Sequence, residues 1–122
     1  MKKILIVEDD ANVAKVLNLR MKNAGYETAL AQDGVQGVKR AASFAPDLIL
    51  LDINLPAGNG IDVAHHLRQI LPAATPIIFL TASKQPGLLE RASAISSPVA
   101  FLEKPYDART LMAATRRGLG ED

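Results

Sequence analysis

Asp47-Leu48-Ile49-Leu50-Leu51-Asp52-Ile53-Asn54-Leu55-Pro56 is the stretch that decides the fold. Its apolar run, Leu48 to Leu51, is short, unbroken and closed by a carboxylate. A run of that kind suits a parallel strand covered by helices on both faces, because an antiparallel strand with one wet face would alternate instead. Working outward, similar runs place strands at residues 3–8, 26–31, 47–51, 76–81 and 99–102. Segments of helical periodicity separate them, which is the signature of βα units.

The helices are read from their apolar stripes. Residues 11–24 put Val13, Val16, Leu17, Met21 and Ala24 on one face, with Gly25 as a left-handed stop. Residues 34–43 turn Val35, Val38 and Ala42 inward. The third helix carries Val63, Ala64, Leu67, Ile70 and Leu71 and ends before Pro72, and the last carries Ala108, Leu111, Met112, Thr115 and Leu119. Between Pro86 and Ser97 the stripe of Leu88, Leu89, Ala92 and Ile95 reads as a short fourth helix with a frayed exit. With right-handed crossovers, this pattern gives a doubly wound, five-stranded parallel sheet in the order 2-1-3-4-5, layered αβα.

The chain has 122 residues, and no repeat, low-complexity tract or linker divides it, so residues 1–122 are read as one domain. Fourteen basic residues against 13 acidic leave a net charge of +1, which gives no electrostatic case for binding nucleic acid directly. Cysteine is absent, excluding disulfides, thiolate metal sites and cysteine nucleophiles and fitting the cytoplasm. The apolar runs are four residues each, against roughly 20 for a membrane span. No membrane partner is expected.

Ligands of such sheets bind beyond the carboxyl ends of the strands. Glu8-Asp9-Asp10 follows the first strand, Asp52 the third, Thr81 closes the fourth and Lys104 follows the fifth. With the first and third strands adjacent, Glu8, Asp9 and Asp52 converge and repel one another. A hard divalent cation relieves that repulsion, and Mg²⁺ takes one or two protein carboxylates together with phosphate oxygens. A carboxylate beside it can attack phosphorus. Lys104 and Thr81 are placed to hold phosphoryl oxygens as their charge develops.

Each residue alone has a plainer reading. The acidic triplet caps a helix, with Asp10 the best candidate; Thr81 bonds backbone; Lys104-Pro105 is a solvated turn; Asp52 closes a turn at Asn54. His65 and His66 point about 100° apart on a helix and are read as surface residues rather than a metal site. Taken singly the plainer reading wins for all but Asp52, and the coincidence of acid, threonine and lysine at four strand ends of one edge makes it improbable.

In this order and spacing the residues resemble the receiver domains of two-component response regulators, such as the chemotaxis regulator with its flavodoxin-like strand order. The likeness rests on Lys3-Ile4-Leu5-Ile6-Val7-Glu8-Asp9-Asp10, Leu50-Leu51-Asp52-Ile53-Asn54-Leu55-Pro56 with Gly60, Leu80-Thr81-Ala82 and Lys104-Pro105, and it covers essentially the whole chain. It implies a phosphoacceptor switch, not an enzyme beyond its own phosphorylation and dephosphorylation. Asp52 would accept the phosphoryl group from a histidine kinase or histidine phosphotransfer protein. Asp9 and Asp52 would ligate Mg²⁺, with the Asn54 main-chain carbonyl, and Glu8 through water. Thr81 and Lys104 would act in catalysis, Pro105 would be cis, and Thr81 with Phe101 would form the switch.

The implied output is a change in the face of the fourth helix, fifth strand and fifth helix, rimmed by Arg91, Arg109, Arg116 and Arg117 and read by a partner protein. Three features depart from the pattern. Pro56 to Gly60 lacks the usual methionine and acidic residue, Ala94 to Pro98 lacks the Gly-Ala turn, and no effector follows Asp122, as expected of a stand-alone regulator or a fragment. Rival readings fail on the order or the chemistry of these residues. A dehalogenase-type phosphohydrolase puts its nucleophile after the first strand and an acid two positions later, where this chain has Asn54. A flavodoxin needs a hydroxyl- and glycine-rich phosphate loop where this chain has Glu8-Asp9-Asp10. The intact acid, threonine and lysine set argues against a degenerate docking module.

Overall fold

Leu48 to Leu51 lie in the middle strand of the sheet with no exposed surface, as their unbroken apolar run requires. The computed structural model describes residues 1–55, 60–81, 90–91 and 99–121. Its strands are β1 (Lys3–Val7), β2 (Glu27–Ala31), β3 (Leu48–Asp52), β4 (Ile77–Thr81) and β5 (Val99–Glu103). All pairings are parallel and the order is β2-β1-β3-β4-β5. The helices are α1 (Ala11–Asn23), α2 (Gly34–Phe44), α3 (Gly60–Ile70) and a C-terminal helix (Ala108–Gly118).

The period-two alternation of side chains divides the core into two layers. Leu5, Val7, Ile49, Leu51, Ile77 and Phe79 pack with Ala41, Val63, Ala64 and Leu67 of α2 and α3. On the other face Ile4, Ile6, Leu48, Leu50, Ile78 and Leu80 pack with Leu17 and Met21 of α1 and Leu111 of the C-terminal helix. Burying both faces of three strands supplies the main cohesion, at about 1.5–3 kcal/mol for each large aliphatic side chain.

Strand positions agree with the sequence reading to within a residue, but several helix faces do not. Ala14, Leu17 and Met21 form the buried face of α1, whereas Val16 is 51% exposed and Ala24 lies exposed past the helix end. One helical position is about 100°, enough to carry Val16 off the contact line. In α2, Gly34, Gly37 and Ala41 are buried, while Val35 is 61% exposed, Ala42 is exposed and Val38 only partly covered. The helix lies so close to β1 that a Cβ on Gly37 would stand 3.2 Å from a Val7 methyl, so small residues make the contact and the valine is excluded. Ile70 is likewise 45% exposed at the end of α3, with Leu71 partly covered behind it. The fourth helix expected from Pro86 to Ser97 lies outside the described residues except for Glu90 and Arg91, which are helical and exposed.

Candidate functional site

β1 and β3 are adjacent, and their carboxyl ends bring three acids together. Glu8 follows Val7 and is held in line by its N–H donating to the Ala31 carbonyl at 3.0 Å. Asp9 is exposed, while Asp52, the last residue of β3, pairs with Leu80 and is 4% exposed. One ligand oxygen from each of Glu8, Asp9 and Asp52 lies within 4.8 Å of the others. Asp10 stands apart: its carboxylate accepts from the N–H groups of Asn12 and Val13 and caps α1, as its plainer reading expected.

Asp52 also answers to its plainer reading. Its Oδ1 accepts the Asn54 N–H at 3.0 Å, which orients the carboxylate as it closes the turn. Behind it, the Gly60 N–H donates to the Ile53 carbonyl at 2.7 Å. A Cβ on Gly60 would lie 2.6 Å from the Asp52 carbonyl oxygen, so the first residue of α3 is seated directly on the backbone that carries the acid. The sequence places this glycine in the loop; its reason, close approach, shows only in the fold.

From the other side, β5 delivers Lys104. Its N–H donates to the Thr81 carbonyl at 2.7 Å, and its Nζ lies 3.2 Å from Glu8 Oε1 and 3.6 Å from Asp52 Oδ2. One lysine therefore serves two carboxylates. Thr81 is buried at the end of β4, and the Lys104–Pro105 peptide is cis, as expected. Phe101 pairs with Phe79 in register and stacks on its ring at 5.2 Å, partly buried against the α2 and α3 core. Thr81, two residues beyond Phe79 in the same strand, shares that face.

The electrostatics follow from this geometry. Burial, then the neighbouring Asp52 carboxylate, pushes Glu8 up to about 8, against the pull of Lys104. Glu8 Oε2 is buried with no hydrogen-bond partner among the described residues. Burial would lower Lys104, but Asp52 and Glu8 outweigh it and hold its ammonium above the usual lysine range. Two buried carboxylates and an unsatisfied oxygen, balanced by one shared lysine, make a site short of positive charge. Hard oxygen donors in that condition fit a divalent cation such as Mg²⁺.

Tyr106 is a neighbour that the sequence reading passed over. Burial raises its phenol, with further influence from Lys104, Glu8, Asp52 and Arg20, and its ring lines a depression of about 310 Å³ with Val13, Val16, Leu17 and Arg20 of α1. An aromatic residue directly after Lys104-Pro105 was the available signal.

A doubly wound sheet with an acidic cluster and a lysine at its carboxyl edge defines a class of phosphate-handling switches rather than one protein. Residues 4–116 match the response regulator receiver domain, and the chain belongs to that family, the phosphoacceptor signalling switch of two-component systems. It is 36% identical over 117 residues to the DNA-binding response regulator MtrA of Mycobacterium leprae, covering 96% of this chain and 51% of that protein. It is 37% identical over 116 residues to the response regulator ArlR of Staphylococcus saprophyticus, covering 95% and 51%. The chain thus spans about half the length of these curated relatives. Among solved structures, the chemotaxis protein CheY4 of Vibrio cholerae superposes with a TM-score of 0.89 at 29% identity, covering 98% of this chain and 99% of that one. Receiver domains bind Mg²⁺ at an acidic pocket, and response regulators receive phosphoryl groups from histidine kinases. No helix among the described residues is long and apolar enough to cross a membrane.

Proposed function

We propose that Asp52 is the phosphoacceptor of this domain and that the cluster around it is the Mg²⁺ site. The observation that carries the reading is the meeting of Glu8, Asp9 and Asp52 within 4.8 Å, with Lys104 Nζ against two of them. Asp9, Asp52 and the Asn54 main-chain carbonyl would hold the ion directly and Glu8 through water. Bound there, Mg²⁺ would neutralise the acids and draw charge from the phosphoryl oxygens.

The protein's own part is orientation and charge. Asp52, held by the Asn54 N–H, presents a carboxylate oxygen to phosphorus; an O–P bond forms as the donor's bond to phosphorus breaks and the donor leaves with its electron pair. Lys104 turns from Glu8 and Asp52 toward the phosphoryl oxygens, and the Thr81 hydroxyl donates to another. Water later cleaves the acyl phosphate to carboxylate and inorganic phosphate, so the chemistry is confined to the domain itself. Thr81 drawn toward the phosphoryl group frees space on the face it shares with Phe101, and the altered face of β5 and the C-terminal helix engages a partner protein.

The donor is a histidine kinase or histidine phosphotransfer protein, and the domain works in the cytoplasm. Neither nucleic acid nor membrane is touched by the receiver domain itself. Incubation with acetyl phosphate and Mg²⁺ followed by intact mass measurement tests the core of this reading. One added phosphoryl group, absent in Asp52→Asn, is expected; equal labelling of the variant would place the site elsewhere.

A further inference from the structure

The C-terminal helix is lightly held by burial. Only Leu111 and Thr115 are fully covered, and one of these is polar, whereas α3 buries five residues. A helix so placed needs restraint at its ends, and the two ends differ. The first turn carries the Asp107 cap, whose carboxylate accepts the Thr110 N–H at 2.7 Å, a bond internal to the helix. The last turn is tied to a distant part of the chain.

Past Leu119 the backbone turns left-handed at Gly120, with φ 72°. The Gly120 N–H donates to the Arg117 carbonyl at 3.1 Å and the Glu121 N–H to the Arg116 carbonyl at 2.7 Å. These paired bonds make a Schellman turn, which fixes where Glu121 lies. There its Oε1 accepts the Tyr26 hydroxyl at 2.6 Å, across 95 residues of sequence. Tyr26 sits between α1 and β2, 9% exposed, in the same core layer as Leu17, Met21 and Leu111.

We propose that Tyr26 and Glu121 form a strap that fixes the C-terminal end of the last helix to the corner between α1 and β2. Burial and the Glu121 carboxylate push the Tyr26 phenol up to about 12, against the pull of Arg116, so the hydroxyl stays a donor at neutral pH. The strap holds whether or not Asp52 is the phosphoacceptor, because it belongs to the resting protein.

Amide hydrogen exchange on the resting protein tests it. In the native protein the amides of Thr115 to Gly118 should be protected at least as well as those of Met112 to Ala114, against the ordinary fraying of a helix end. Tyr26→Phe, which keeps the ring, and Glu121→Ala, which removes the acceptor, should each speed exchange in the last turn by roughly tenfold while Met112 to Ala114 hold steady. The double variant should exchange no faster than the faster single variant, because both remove one bond. Unchanged last-turn exchange in either single variant, or effects that multiply in the double, would overturn the strap. Exchange rising uniformly along the helix would also overturn it, since the bond would then be general stabilisation rather than a pinned end.

Discussion

The two edges of the sheet are held in opposite ways. At the amino edge most polar groups find partners: the Lys3 N–H donates to Asp47 Oδ2 at 2.8 Å, Lys3 Nζ reaches the Phe44 carbonyl at 3.4 Å, and Tyr26 meets Glu121. The Arg68 guanidinium donates to the carbonyls of Pro72, Ala73 and Thr75, with only its Nε left without a partner among the described residues. At the carboxyl edge Glu8 and Asp52 are buried side by side against one shared lysine, and Glu8 Oε2 has no partner among the described residues. The contrast separates cohesion from unbalanced charge: one edge closes the domain, and the other keeps the charge that the proposed ion and phosphoryl group would settle.

The sharpest break of that contrast is at Asp52. Asp52→Asn should lose acyl phosphate formation entirely, because an amide keeps the shape but not the nucleophile. It should also unfold no more readily than the native protein, since it removes one of two repelling carboxylates, and a thermal melt beside the mass measurement checks both. A large loss of stability would mean that the acid is structural.

Gly60→Ala should come next, destabilising by about 1–3 kcal/mol or more in a denaturant titration, since the new methyl meets backbone rather than a side chain able to yield. Its effect should reach the site, weakening Mg²⁺ binding as the Asp52–Ile53 peptide shifts.

Charge imbalance at the carboxyl edge gives a pH signature. Glu8 titrates at about 8 in the folded metal-free protein against an ordinary 4.5, so the native state binds the extra proton. The contribution is fully present below pH 4.5 and is lost as pH rises through about 8. Melting temperature measured from pH 5 to 9 without metal should carry this fall, Glu8→Gln should flatten it, and Mg²⁺ should offset it most at the alkaline end. A slope unaltered in Glu8→Gln would assign the imbalance to another group.

At the amino edge the effects should be smallest. Asp47→Ala removes the acceptor of the Lys3 N–H in an exposed setting and should cost about 0.5–1.5 kcal/mol in the same titration, with no change in phosphorylation. A change in phosphorylation there would join the two edges, which the present contrast holds apart.

How far these features were legible in the sequence depended on the range of the interaction behind them. Leu48 to Leu51 announced a doubly covered strand, because burial on both faces leaves an unbroken apolar run. Glu8, Asp9, Asp52, Thr81 and Lys104 were legible as strand-end residues, and their convergence followed from the strand order. Helix faces were read less well. Val16 and Val35 read as inward because they are apolar, but Val16 lies off the buried face made by Ala14, Leu17 and Met21, and at α2 the close approach of Gly37 to Val7 leaves no room for a larger side chain.

By itself, then, the sequence determined the alternation of strands and helices, the edge where the acidic cluster gathers and the residue types found there, since periodicity and strand ends are local properties of the chain. Only the tertiary structure decided that Lys104 lies between Glu8 and Asp52, that Gly60 is seated on the Asp52 carbonyl and that Tyr26 meets Glu121. These pairings join residues eight to 96 positions apart at a few ångströms, and such distances are set by how closely layers pack, which no local pattern of residues encodes.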